Sequence, residues 1–196
     1  MKRLLITGFD PFGGESINPS WEAVGRLPDQ VGPWALTRVQ IPTVFGLAAR
    51  TVLEAACQLK PDAILCVGQA GGRGAITPEV VAINLREASI PDNAGNQPVN
   101  QPVIEGGPAA CFATVPVRDM VAAMGDAGYP AALSYSAGVF VCNDVLYTLL
   151  RHYEGTETRV GFVHVPFLPQ QAKENQPSMP LEDITAALST AIEAME

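Results

Sequence analysis

Four cysteines and two histidines, Cys57, Cys66, Cys111, Cys142, His152 and His164, carry most of the nucleophilic and proton-shuttling chemistry open to this 196-residue chain. Cys142 stands apart from the other thiols. It lies in SAGVFVCNDVLYTLL, Ser136 to Leu150, where an extended apolar run gives way to helical spacing at Val145, Leu146, Leu149 and Leu150. Its sulfur is therefore expected at a helix N-terminus, where free backbone N–H groups and the positive end of the dipole lower a thiol pKa. The same N–H groups could hold the oxyanion formed when a thiolate attacks a carbonyl. A buried capping residue would leave the same trace in the sequence. Cys57 in LEAACQL and Cys66 in AILCVG sit in apolar settings, where cysteine packs as a small hydrophobe. Cys111, in GGPAACF, has no activating neighbour in sequence and reads as packing too.

A nucleophilic thiol needs a proton shuttle, and histidine is the usual choice near neutrality. His152 follows Arg151 at the end of the Cys142 helix, where a cation complements the negative helix terminus. His164 interrupts the apolar strand RVGFVHVPF just before Pro166. A polar residue at a strand C-terminus in an α/β protein is where chemistry is placed, although a hydrogen-bonded core histidine would look alike. A carboxylate should orient the imidazole. Asp10, Glu15, Glu79, Asp92 and Asp144 all lie near loops that could reach it, and spacing selects none of them.

The elements that must position these groups alternate. Strands are expected at 3–7, 35–41, 62–67, 80–85, 131–135 and 159–165, with helices near 19–27, 45–59, 117–125, 142–153 and 181–195. Asn18-Pro19 ahead of SWEAVGRL supplies a polar cap and a proline at the first helical position. The alternation implies one α/β domain over 1–196, an α/β/α sandwich on a twisted, largely parallel sheet with its site beyond the strand C-termini. The Gly/Pro/Asn-rich stretch 91–108 reads as a long functional or interface loop.

Composition narrows the partners. A formal net charge of −8 argues against nucleic acid. No apolar run is long enough to span a bilayer, and the short run after Met1-Lys2-Arg3 stops before a signal-peptide core. Dispersed cysteines suit a reduced cytoplasm, and two histidines offer little to a metal. GQAGGRGAITPE matches neither dinucleotide nor phosphate-loop spacing, and a strand-like segment follows it. In GFDPFGGESINPS, Phe9 and Phe12 could be core or could flank a flat ligand.

Four segments in order, GFDPFGG with NPSWEAV, GQAGGR through ITPE and VAIN, IPDNAGNQP with GGPAA, and SYSAGVFVCN with GFVHVPFLP, resemble the pyrrolidone-carboxylate peptidase (pyroglutamyl-peptidase I) family of cysteine peptidases. The resemblance implies hydrolysis of the amide bond after an N-terminal pyroglutamyl residue through a thioester, with a Cys142, His164 and Glu79 triad. It also implies a ring pocket at Phe9, Phe12, Asn18, Thr43, Gln69, Ile90, Phe140 and Val141, no metal or organic cofactor, peptides as partners and a homotetramer. Val80 and Ser89 stand where the family usually carries basic residues, which bears on the level of activity. A different thiol amidohydrolase, or a weakly catalytic protein that binds pyroglutamyl peptides, remain the alternatives.

Overall fold

A computed structural model describes all 196 residues. The apolar run near the N-terminus forms β1 (Lys2–Phe9), and Asn18 accepts a hydrogen bond from Ser20 N to cap α1 (Pro19–Arg26). There follow β2 (Gln30–Val31), β3 (Trp34–Ile41), α2 (Leu47–Leu59), β4 (Ala63–Gln69), β5 (Thr77–Pro78), β6 (Val81–Ile83) and β7 (Ala110–Phe112). The chain continues through α3 (Val117–Asp126), α4 (Val141–His152), β8 (Arg159–Val165) and α5 (Leu181–Glu193).

The main sheet has the order β2-β3-β1-β4-β8-β5, with β3, β1, β4 and β8 mutually parallel and the short outer strands antiparallel. Side chains alternate across it, so each strand feeds two cores. Leu4, Ile6, Leu65, Val67, Val163 and Val165 face a layer that includes Val24, Met120 and Leu188 of α1, α3 and α5. Leu5, Ile64, Cys66 and Phe162 face α2 and α4 through Val52, Val145 and Leu149. This is the expected α/β/α sandwich.

Two expected strands need correction. Residues 131–135 make only isolated bridges, Ile76 with Ala131 and Glu79 with Ser134. Pro130 cannot donate to a ladder, and the facing β5 is only two residues long. The expected strand at 80–85 shortens to β6, which pairs with β7 outside the main sheet. Stretch 91–108 is irregular, as its composition suggests, and folds back on 84–88 through paired backbone bonds between Arg86 and Gln101.

One close approach fixes the first helix. A Cβ added at Gly8 would lie 2.6 Å from Trp21 Cα and 2.7 Å from its backbone nitrogen. Backbone cannot move aside as a side-chain tip can. Gly8→Ala is therefore expected to cost about 3 kcal/mol of stability, read as a lower denaturation midpoint at an unchanged slope.

Candidate active site

The helix expected after Phe140 begins with Phe140 as its N-cap, and no side chain bonds to its first turn. Asp144 N is the first amide bonded to the Phe140 carbonyl, so the amides of Val141, Cys142 and Asn143 precede any intrahelical bond. Cys142 is partly exposed there. Below it lies Gly68 of β4: a Cβ at that glycine would sit 3.0 Å from the Cys142 sulfur. Gly68 is the register partner of His164 on β8, so the missing side chain leaves the sulfur room beside the imidazole strand.

His164 is 4% exposed, and its ring lies 4.8 Å from that of Phe162, centroid to centroid. On its other side β8 pairs with β5, Thr77 opposite His164, and the chain leaving β5 delivers Glu79. His164 Nδ1 lies 2.7 Å from Glu79 Oε1. A carboxylate can only accept, so Nδ1 carries the proton and Nε2 keeps its lone pair. Burial opposes ionisation of Glu79, but His164, with Ser134 and Arg73 beside it, holds the carboxyl below its ordinary range. For His164, burial lowers the pKa against the pull of Glu79, and the charge of Arg73 lowers it further.

Cys142 corrects one expectation. Burial, followed by the negative charge of Glu79 and the nearness of Cys66, pushes its thiol up to about 12, and neither Arg73 nor its own backbone amide offsets this. Desolvation by the surrounding chain opposes the helix terminus and favours the protonated thiol, against the direction expected from the sequence. Cys66 is fully buried and is likewise raised to about 12, chiefly by burial.

The five carboxylates that spacing leaves open separate in the structure. Asp10 accepts from Thr43 N at 2.7 Å, Asp92 accepts from Phe45 N at 2.9 Å, and Glu15 is exposed. Asp144 accepts from Gly46 N at 2.8 Å and from Arg86 Nε at 2.6 Å. Glu79 alone among them bonds to His164.

Around the start of α4 lies an aromatic cluster. Phe12 and Phe140 lie 6.1 Å apart with their rings tilted by 36°, and Phe45 meets Phe140 edge-on at 5.2 Å. Phe45 is not among the expected site residues, because its position at the head of a helical pattern hides it. Phe9 is 2% exposed and packs on Phe162 at 6.2 Å, as core beneath the cluster. Val141 is fully buried, Thr43 is held through its amide and hydroxyl to Asp10, and Ile90 is 43% exposed. Asn18 is spent internally: its amide oxygen caps α1 and its nitrogen donates to the Asp10 carbonyl at 3.0 Å.

At the end of β4, the side-chain oxygen of Gln69 accepts from Gln171 at 3.1 Å. Because Ala70 N donates to the Val165 carbonyl, ladder alternation turns the N–H and C=O of Gln69 away from β8, beyond the last β1–β4 pair at Gly8 and Val67. A cavity of about 390 Å³ lined by Phe45, Arg86 and Gln101 adjoins the cluster but not the thiol. No helix is long and apolar enough to cross a membrane.

The second residue that sequence reasoning misses is Arg73, from the glycine-rich loop. It donates to Glu79 Oε1 at 2.8 Å. Val80 uses its backbone to bond Ser134 and Ala113, and Ser89 is exposed.

The arrangement, a thiol at an uncapped helix start beside a carboxylate-bound imidazole, is that of a cysteine acyl-transfer site. Comparison with known proteins points the same way. The chain is 50% identical over 196 residues to the pyrrolidone-carboxylate peptidase of Bacillus amyloliquefaciens, covering 97% of this chain and 90% of the relative. It is 51% identical over 197 residues to that of Enterococcus faecalis, covering 98% and 92%. The crystal structure of Bacillus amyloliquefaciens pyroglutamyl peptidase I superposes with a TM-score of 0.96 at 48% identity, over 100% of this chain and 97% of that one. Pyrrolidone carboxyl peptidase from Thermococcus litoralis gives a TM-score of 0.94 at 36% identity, over 100% and 93%. With residues 2–196 matching the profile described as pyroglutamyl peptidase, the chain belongs to the pyroglutamyl peptidase family.

Proposed function

We propose that this protein is a cysteine peptidase that removes N-terminal pyroglutamate from peptides, with Cys142 as nucleophile, His164 as proton shuttle and Glu79 as the group that orients it. The observation that carries the reading is the sulfur resting over Gly68, the register partner of a His164 already bonded to Glu79.

Because burial favours the protonated thiol, attack and deprotonation are coupled. His164 Nε2 takes the S–H proton as the S–C bond forms, and the carbonyl π electrons move to oxygen. Amides at the uncapped start of α4 are placed to hold that oxyanion. Collapse breaks the C–N bond, and the imidazolium returns its proton to the departing amine. Water then adds to the thioester, giving its proton to His164, and pyroglutamate leaves as the thiol is restored. Glu79 stabilises the imidazolium in each half-reaction.

Specificity follows from the lactam. A cis amide offers N–H and C=O side by side, which the N–H and C=O of Gln69 complement, and its ring is flat enough for the Phe12 and Phe140 faces. A prolyl residue would bring a cationic nitrogen into this apolar cluster and leave the Gln69 groups unpaired. Asn18 and Thr43 act through Asp10, holding the Phe12 loop, while Phe9 and Val141 form the floor and Ile90 the rim.

One domain over residues 1–196, a homotetramer and a cytoplasmic site of action belong to the same reading. A single six-stranded sheet with both faces covered supports the first, and four free cysteines support the last. The homotetramer rests on the family resemblance.

The test is release of a fluorescent amine by the reduced protein. Turnover of the pyroglutamyl amide with none of the prolyl amide is expected. Comparable cleavage of both would overturn the specificity, and saturable binding without release would make this a binding protein.

A further inference from the structure

We infer that Arg73 is a positioning residue for this reaction, one guanidinium that sets the charge balance of the Glu79–His164 pair and ties it to the segment leading into α4. The inference rests on the triad reading above. Nη1 of Arg73 reaches Glu79 Oε1 at 2.8 Å, Thr77 Oγ1 at 2.6 Å and Ser134 Oγ at 3.2 Å, while Nη2 reaches the Ser136 carbonyl at 3.0 Å. Ser136 stands four residues before Phe140, the N-cap of α4. A planar fork can hold the carboxylate and this segment in one frame, which a single ammonium cannot do.

The charge argument is independent of the fork. Glu79 is fully buried, with Oε1 shared by His164 and Arg73 and Oε2 without a partner. The charged or titratable groups acting on His164 are Glu79 and Arg73; its other neighbours are the Phe162 ring, Thr77 and the backbone of Gly68, over which the Cys142 sulfur lies. With Arg73 present the carboxylate is balanced and the imidazole rests neutral, as a base must. Without it, the uncompensated buried carboxylate binds a proton on itself or on the imidazole at higher pH than before. Protonation on either group stops His164 acting as the base, so the acid limb of activity moves up.

Arg73→Met is expected to lower kcat by about 10²-fold and to move the acid limb of kcat/KM up by about one pH unit. Arg73→Lys, which keeps the charge and loses the fork, should restore the limb while kcat stays about tenfold down. A readout independent of turnover is the imidazole NMR titration of His164 in a Cys142→Ala background. His152, the only other histidine, is exposed and serves as the internal reference. The His164 midpoint should rise with Arg73→Met. A midpoint unchanged in a folded Arg73→Met protein would overturn the charge role. If that variant does not fold, wild-type kcat in Arg73→Lys would overturn the positioning role. Absence of turnover in the wild type would instead defeat the peptidase reading, and the titration would still judge Arg73.

Discussion

Cys142→Ala is expected to remove turnover of a pyroglutamyl amide, by a factor on the order of 10⁶ if the triad acts as a unit. The reason is local. No other thiol can substitute, because Cys66 is fully buried and raised to about 12, Cys57 is exposed at the end of α2, and Cys111 lies on β7. Cys142→Ser should be nearly as inactive, since a hydroxyl is harder to deprotonate and a weaker nucleophile at the same place. Active-site-titrated kinetics would check both variants. The raised thiol adds a signature. Iodoacetamide labelling of Cys142 in the free protein should be slow near neutral pH and climb into the alkaline range, because the thiolate fraction is small when burial holds the pKa at about 12. Rapid labelling at neutral pH would mean a preformed thiolate. Rapid labelling of Cys66 in its place would transfer the role of nucleophile.

His164→Ala is the second large loss, expected at about 10⁴-fold or more, on the order of what removing a proton shuttle and its coupled partner costs. Exogenous imidazole should restore little, because the site is enclosed by Phe162 and the Gly68 backbone. Glu79→Gln should be far milder, on the order of 10², and Arg73 explains why. Changing a triad acid to its amide can flip the imidazole tautomer, since an amide NH₂ donates where the carboxylate accepted. Here Oε1 receives both His164 and Arg73, whereas Oε2 has no partner. In the Glu79→Gln side chain those two donors hold the amide oxygen inward, the amide nitrogen takes the empty side, and the tautomer survives. Only the stabilising charge is lost. A kcat equal to wild type in Glu79→Gln would refute its role. A loss as deep as that of His164→Ala would show that the tautomer had flipped.

The sequence discloses the parts of this molecule that are decided locally. The buried parallel strands around residues 3–7 and 62–67 are continuous apolar runs, and α1 announces itself through Asn18 and Pro19. The start of α4 is visible because helical spacing begins just after Cys142, which places that residue in the first turn. The GVFV run before it is not the expected strand, since Gly138 has a φ of 77° and Val141 already belongs to the helix. What depends on distant chain is hidden. Thr77–Pro78 is a strand only because β8 lies beside it, and 131–135 fails to be one because the β5 it faces is too short to extend a ladder. Spacing cannot choose Glu79, because it meets His164 across 85 positions; the family resemblance alone selects it. The sign of the Cys142 shift is hidden for a similar reason. The helix terminus is a local property, whereas the burial that opposes it comes from distant chain, with Gly68 and Cys66 of β4 beside the sulfur. Arg73 sits in a glycine-rich loop that reads as flexible backbone, with no sequence signal that its guanidinium turns inward.

The strand order carries a consequence for synthesis. β8 is the last strand to leave the ribosome, yet it lies between β4 and β5, which are made well before it. Until residues 159–165 arrive, those two strands have no common neighbour, and Glu79 has no imidazole to hold. An unfinished chain therefore contains Cys142 without His164, the proposed nucleophile without its proposed base. On the proposed triad, peptidase activity is expected only once β8 has entered the sheet, and a chain truncated before residue 159 should show none.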